Sequence, residues 1–473
     1  MSSAVWTAGA SWGSQLITLA VFVILARYLG PDDFGVATLA MLPPLFLSVL
    51  VITGIPDALV QRGEITAAHL DSAFWFLAGL GLMLSALIWA FAGPIAGAFG
   101  QSSLKQFVRW TSIIVAIQAL AAVPTVVLKR ELGFRVLAVR TLAATAFSAA
   151  LGIGLAIAGF GVWSLVWIQI AKAAVGTALV FLGSGWRPSL RYSHARCREL
   201  FGFASPVVAQ SLLAMANDEL PAVALGVFLG PGAVGVYAFA RRPFQILWDV
   251  FLNPLMGLVL PTVSRVQNDP ERINRFFDAA VRMTALAAFP IFIGFAAVAP
   301  SAVPFIFGKQ WGSAVLAIQI ITPQAVVRTI DALCAYTILA LGYSGLVLKL
   351  NISFTILAAI PIVFASRISV EAMVAAMVAC NLALLPFFLF FAQRIARINI
   401  RQPLDVFPRL AVASSLMFAA VTAVRLGAPE NTPQIVTIGS AVVIGAIVFG
   451  AAAMALVRPD LKAARELLLK MRT

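Results

Sequence analysis

Fourteen apolar runs, each near 20 residues long and separated by short polar turns, dominate this chain of 473 residues. About 20 apolar residues are needed for a helix to cross roughly 30 Å of hydrocarbon. The runs lie near 5–28, 34–54, 72–93, 107–127, 137–158, 162–183, 204–229, 234–261, 280–300, 313–341, 346–365, 371–392, 409–427 and 434–457. Only 11% of the residues are charged and 61% are hydrophobic, where a soluble domain has about a quarter charged. The expectation is an all-α integral membrane protein with 14 transmembrane helices. Very short turns join runs five and six, and runs eleven and twelve, so each pair forms an antiparallel hairpin. The first run has no charged n-region before it and reads as a retained helix rather than a signal peptide.

Loop charge tests that count. With the N-terminus inside, 23 of the 33 basic residues fall in inside loops or the tail, and 6 fall outside. The outside set is Arg27, Lys105, Arg109, Lys309, Arg367 and Arg425. This bias is the positive-inside pattern, and it places both termini in the cytoplasm. It also accounts for the net charge of +14 without nucleic acid as a partner. Residues 458–473 read as a short amphipathic helix on the inner leaflet, with Leu461, Ala464, Leu467 and Leu468 on one face.

The chain repeats itself. Residues 23–47 and 223–247 share ten of 25 positions, around a common core Leu-Gly-Pro-x-x-x-Gly-Val. Trp110-Thr-Ser-Ile-Ile-Val-Ala-Ile-Gln118 matches Trp311-Gly-Ser-Ala-Val-Leu-Ala-Ile-Gln319 at nearly the same offset. The repeat unit holds six spans, so both copies point the same way across the membrane. Two parallel-related six-helix lobes follow, helices 1–6 (residues 1–198) and helices 7–12 (199–395). Two extra C-terminal helices (396–457) and the tail (458–473) complete the chain.

Polar residues inside spans mark where function could sit, because an Arg or Asp at mid-membrane depth costs at least about 2.5–3.5 kcal/mol. In span eight Tyr237, Arg241, Gln245, Asp249 and Asn253 form an i, i+4 row on one helix face. Arg242 follows Arg241. Span seven carries Asn217, Asp218 and Glu219, and span ten carries Gln319, Gln324, Arg328 and Asp331. In copy one the positions matching Arg241 and Arg242 are Met41 and Leu42. The halves share a skeleton and not a charge pattern. Two readings stand side by side. The charges line a cavity that takes a ligand, or they pair with one another: Arg242 with Asp249, Arg328 with Asp331, Asp218 or Glu219 with Arg241. Arg27 is either an interfacial anchor or a ligand contact. Prolines 43, 124, 206, 221, 243, 254 and 323 sit in or beside spans, where each permits a kink.

No Ser-His-Asp set, metal motif or nucleotide-binding loop is present. His69 and His194 have no ligand-spaced partner. Cys197, Cys334 and Cys380 read as packing residues. The chain is expected to be no enzyme and to carry no cofactor and no metal. Transport would draw on an ion gradient, the membrane potential or the substrate gradient.

Ala26-Arg27-Tyr28-Leu29-Gly30-Pro31-Asp32-Asp33-Phe34-Gly35 is similar to the opening motif of Wzx-type polysaccharide transporters in the MOP flippase superfamily. That superfamily also holds MurJ-like lipid II flippases and MATE exporters. Ala58-Leu59-Val60-Gln61-Arg62, His69-Leu70-Asp71-Ser72-Ala73-Phe74-Trp75, Gly235-Val-Tyr237-Ala-Phe-Ala-Arg241 and Gly308-Lys-Gln-Trp311-Gly-Ser-Ala314 resemble the family as well. The resemblance covers roughly residues 1–400. It implies a V-shaped pair of six-helix lobes around a cationic cavity. It also implies movement of an undecaprenyl-diphosphate-linked oligosaccharide across the bacterial inner membrane, for exopolysaccharide, capsule or O-antigen. Arg241 stands in the motif position, and Arg242 follows by adjacency. Implied partners are that substrate, membrane lipids, and a polysaccharide polymerase and co-polymerase. The alternatives are a cation-coupled MATE-like exporter of small amphipathic molecules and, more remotely, a membrane ligase acting on lipid-linked sugars.

Overall fold

The structure, a computed structural model, describes residues 2–267, 269–396, 399, 405–429 and 432–456. Among these residues every regular element is a helix. A bilayer demands this of a chain whose backbone groups cannot be left unpaired in hydrocarbon. In order they are α1 (Ser2–Tyr28), α2 (Pro31–Ile52), α3 (Ile55–Gln61), α4 (Ala67–Ala98), α5 (Leu104–Arg130), α6 (Phe134–Ile157), α7 (Val162–Ser184), α8 (His194–Phe228) and α9 (Pro231–Leu247). A π-helical turn, Trp248–Leu252, leads into α10 (Asn253–Arg265). Then come α11 (Pro270–Phe307), a 3-10 turn (Lys309–Trp311), α12 (Ala314–Ile321), α13 (Gln324–Ala340), α14 (Ser344–Ala365), α15 (Val370–Ala396), α16 (Val406–Gly427) and α17 (Gln434–Leu456). The two expected hairpins are present as α6–α7 and α14–α15.

Among the described residues, twelve helical segments are long and apolar enough to cross a membrane. The other two expected spans take a different form. The apolar part of α1, Trp12–Tyr28, is shorter. The eighth run is no single α-helix, because the π turn interrupts it between α9 and α10. Several helices outrun their apolar runs. α8 has 35 residues and α11 has 38, since charged first turns extend each one beyond the apolar length. The amphipathic tail at 458–473, and most of the basic segment 397–404 before α16, lie outside the described residues.

The chain forms two compact units, one ending at Ala238 and the other starting at Phe239. In the first, α4 packs on α5, α6 on α7, α1 on α6, and α2 on both α5 and α8. The duplicated Leu-Gly-Pro-x-x-x-Gly motif explains one contact there. A Cβ on Gly35 would stand 1.7 Å from the Pro231 carbonyl oxygen, and a Cβ on Gly235 1.8 Å from the Pro31 carbonyl oxygen. The first turns of α2 and α9 thus cross backbone to backbone, each motif supplying the glycine that the other's proline approaches. Small residues permit such close helix crossings in membranes.

In the second unit α11 is the spine. Phe289, Ala297 and Ala302 pack against Leu410, Ala413 and Met417 of α16 and Phe449 of α17. Another core joins Met256 and Val259 of α10 to Phe277 of α11, Leu333 and Cys334 of α13, and Phe388 of α15. Cys334 is a packing residue of that core, and Cys197 and Cys380 are likewise free thiols.

Candidate functional site

The second unit's part of α9 is fixed by its apolar face. The Phe239 ring stacks on Trp311 at 4.0 Å between centroids and meets Phe307 edge-on at 5.0 Å. Five residues on, Phe244 buries against Phe292, with Ala288, Ala325 and Leu252 completing the cluster. Between these anchors Arg241 and Arg242 are half-buried. Pro243 lacks an N–H for the helix ladder, and five residues later the helix widens into the π turn. Such single π turns are frequent at functional sites.

The turn presents a chain of polar contacts. Trp248 Nε1–H donates to Asn253 Oδ1 at 3.1 Å, and Asn253 Nδ2–H donates to Asp249 Oδ1 at 2.6 Å. The Arg328 guanidinium on α13 lies 5.6 Å from the centre of the Trp248 ring, within cation–π range. Asp249 acts electrostatically on Arg242, and Arg328 acts likewise on Asp331. One carboxylate oxygen of Asp331, Oδ1, is buried without a hydrogen bond. The structure therefore brings six side chains of the second unit together along α9, the π turn and α13: Arg242, Trp248, Asp249, Asn253, Arg328 and Asp331. Two guanidiniums, an indole ring and an amide beside carboxylates can hold a polyanionic, hydroxyl-rich ligand through charge-assisted hydrogen bonds. The two charge pairs expected from spacing, Arg242 with Asp249 and Arg328 with Asp331, lie within electrostatic reach of each other.

One expectation is corrected. The row from Tyr237 to Asn253 is not carried by one uninterrupted α-helix. Its last step, Asp249 to Asn253, crosses the π turn and survives as a direct hydrogen bond.

The remaining residues lie as follows. Gln245 is half-buried on α9. Gln324 is buried at the start of α13, where the break at Thr322 and Pro323 separates it from α12. Gln319 donates to the Ala296 carbonyl at 3.2 Å, which ties α12 to α11. In the first unit Tyr237 is buried and Glu219 half-buried, while Asn217, Asp218 and Arg27 are exposed.

Sequence reasoning missed Trp248, whose apolar character hid it inside an apolar run. It also missed a cluster around Glu199. There Arg62 donates at 2.5 Å, Arg196 approaches at 3.1 Å and His69 Nε2 at 3.3 Å. The spacing Thr66-x-x-His69 was the available signal, with His69 in the place that Glu or Gln takes in a helix N-terminal capping box.

Comparison with known proteins narrows the reading. The profile of the family described as "Polysaccharide biosynthesis protein" matches residues 24–316, more than half of the chain. The succinoglycan biosynthesis transport protein ExoT of Rhizobium meliloti is 28% identical over 65% of this chain. That alignment spans 63% of the Rhizobium protein, under two thirds of its length. The lipopolysaccharide biosynthesis protein WzxC of Escherichia coli is 23% identical over 76% of this chain and 73% of its own. The teichuronic acid biosynthesis protein TuaB of Bacillus subtilis is 24% identical over 73% and 72%. Among solved structures, a lipid II flippase MurJ in an inward closed conformation superposes with a TM-score of 0.80. It covers 97% of this chain and 100% of its own at 15% identity. An inward-facing multidrug-resistance MATE transporter of the MOP superfamily gives 0.66, over 81% and 94%, at 14% identity. At those identities the likeness establishes the fold, which is that of MurJ and the MATE transporters. The chain is a multi-pass membrane protein and belongs to the polysaccharide biosynthesis protein family.

Proposed function

We propose that this protein carries an undecaprenyl-diphosphate-linked oligosaccharide repeat unit from the inner to the outer leaflet of the bacterial inner membrane by alternating access. The product serves exopolysaccharide, capsule or O-antigen synthesis. In this reading both termini are cytoplasmic, residues 1–198 and 199–395 act as two lobes, and the chain is a carrier and not an enzyme. A polymerase and a co-polymerase take the product onward.

The observation that carries the reading is the arginine pair Arg241–Arg242, half-buried in a span and placed just before the polar π turn. Intramembrane charge is retained against a high insertion cost where it serves a pathway. A diphosphate presents several anionic oxygens, and guanidinium groups suit phosphate oxygens geometrically. Family membership and the names of the relatives, which concern succinoglycan, lipopolysaccharide and teichuronic acid, support a saccharide cargo. Arg328 beside Trp248, with Asn253 on the same turn, offers contacts to sugars adjoining the diphosphate.

The test is complementation of a deletion strain. Arg241→Ala with Arg242→Ala is expected to abolish polymer export while the protein stays in the membrane at normal abundance. Normal polymer yield from that double variant sinks the assignment. The MATE-like fold favours a second reading, cation-coupled export of small amphipathic molecules. Drug sensitivity in the deletion strain with intact polysaccharide selects it. Turnover of labelled lipid-linked sugar by the purified protein would instead indicate a ligase.

A further inference from the structure

The motif Ala58-Leu59-Val60-Gln61-Arg62 and its continuation His69-Leu70-Asp71-Ser72-Ala73-Phe74-Trp75 have no part in the cargo reading. Their side chains nevertheless converge on one target. That target is the segment 185–199, which leaves α7 and enters α8, the helix that begins the second sequence copy.

The contacts are of two kinds. Those at residues 186–193 are hydrogen bonds anchored on two buried side chains of α4, Asp71 and Ser72, with a further one from the exposed Trp75. Asp71 accepts the Ser189 N–H at 3.1 Å and also the Ser189 hydroxyl. Ser72 Oγ accepts the Ser193 N–H at 2.9 Å, and Trp75 Nε1–H donates to the Ser189 carbonyl at 2.8 Å. The Phe74 ring meets Trp186 at 5.5 Å. Asp71 and Ser72 are buried to 4% and 0% exposure. Hydrogen bonds that satisfy a buried carboxylate and a buried hydroxyl are costly to break.

The contacts at Glu199 are charged and open to solvent. Arg62, Glu199 and Arg196 are 37%, 34% and 48% exposed. Ion pairs that exposed contribute little to stability and exchange readily with water. Their geometry is nonetheless prepared. Arg130 donates to the carbonyls of Leu59, Val60, Arg62 and Gly63, which closes the end of α3 and fixes the backbone carrying Arg62. His69 Nδ1 accepts the Thr66 N–H in the capping box of α4, so Nε2 carries the proton that faces Glu199.

Ser193 is the N-cap of α8 and Glu199 lies six residues further along, about 9 Å at the helical rise. A helix held at both points has a fixed direction. Further along, α8 packs on α2, α3 and α4, so without the Glu199 contact the freedom gained is that of its first turns.

We propose that the motif is a two-part clasp: Asp71, Ser72 and Trp75 hold the linker between the sequence copies, and the Arg62–Glu199 ion pair is a releasable latch that sets the direction of the first turns of α8. This role does not depend on the identity of the cargo.

Spin labels at Glu64→Cys and Arg198→Cys, both exposed positions, report the latch by pulsed electron resonance in the full-length reconstituted protein, with the three native cysteines replaced. With the latch intact one distance population dominates. In Glu199→Gln a second population is expected, longer by about 5 Å, the scale of one helical turn. Arg62→Gln is expected to do the same, and Glu199→Asp, which keeps the charge, to retain the single population. If Glu199→Gln does not accumulate, Arg62→Gln carries the measurement, since Glu199 then keeps Arg196 and His69. An unchanged distribution in both neutral variants, loss of both from the membrane, or a second population in Glu199→Asp equal to that in Glu199→Gln overturns the proposal.

Discussion

The second spans of the two sequence copies start alike and end differently. Both open with proline in the first helical turn, and each supplies a glycine to the backbone crossing of α2 with α9. Both carry a further proline in register, Pro43 and Pro243, and both depart from a regular α-helix soon after it. In copy one α2 stops at Ile52, and the chain turns at Gly54, whose φ of +74° favours glycine. Asp57 then accepts the Gly54 N–H at 3.1 Å and starts α3. In copy two the departure is the π turn Trp248–Leu252, which matches the last residues of α2 and leaves no gap in the helical path. Around that shared break copy one is neutral, with Met41, Leu42, Ser48, Val49 and Thr53. Copy two has Arg241, Arg242, Trp248, Asp249 and Asn253. The lesson is that the crossing and the break belong to the scaffold, since both copies keep them. The charges are what distinguishes copy two, and it is on them that the proposed function rests.

The largest effect should follow from attacking what the copies share. Gly35→Val places branched carbon where even a Cβ would stand 1.7 Å from the Pro231 carbonyl oxygen. The obstacle is backbone, which cannot rotate away, so the cost should exceed the about 1–3 kcal/mol of ordinary overpacking. Loss of the protein from the membrane fraction on immunoblots is expected, and Gly235→Val should match it. Normal abundance of either variant would separate the crossing from the scaffold.

A smaller effect should follow from moving charge between the copies. Leu42 is buried, at 5% exposure, and occupies the position of Arg242. Leu42→Arg adds a guanidinium with no carboxylate in register, because Val49 stands where Asp249 would be. The expected penalty is about 2.5–3.5 kcal/mol, read as reduced abundance and a lower melting temperature in detergent. Wild-type stability would mean that copy one already holds polar space around Leu42, and the asymmetry would lose its functional meaning.

How far the sequence foretold this follows from the same residues. The duplication was visible because Leu-Gly-Pro-x-x-x-Gly-Val is held by backbone geometry, which leaves few alternatives at each position. The intramembrane charges were visible because hydropathy isolates them. The π turn was not. An i, i+4 row is what an α-helix would show, and the residues at the turn, Trp248 to Leu252, carry no glycine or proline to announce a break. Trp248 was hidden by being apolar, and its place beside Arg328 depends on α13 packing 80 residues later. Glu199 was hidden for a related reason. Arg62 and His69, its partners, lie more than 100 residues earlier, and pairwise spacing along one chain carries no such distance.

The smallest effect tests the break itself. Asn253 and Thr53 are equivalent, and so are Asp249 and Val49. In copy one the Thr53 hydroxyl donates to the Val49 carbonyl at 2.7 Å, a contact inside its own helix. In copy two the Asn253 amide bridges the Trp248 indole and the Asp249 carboxylate. Asn253→Ala removes both hydrogen bonds at once and leaves the indole N–H to water. For hydrogen bonds of this kind the loss is about 0.5–1.5 kcal/mol each, and the lower end applies because Asn253 is exposed. Thr53→Ala removes a hydroxyl whose carbonyl acceptor is already bonded by the Thr53 N–H at 3.1 Å, so little should change. Polymer export in the complemented strain should fall a few-fold in Asn253→Ala and stay near normal in Thr53→Ala, at equal abundance. Equal effects at the two positions would make the π turn a scaffold feature like its counterpart at Gly54, and would leave the arginine pair as the difference on which the function of copy two rests.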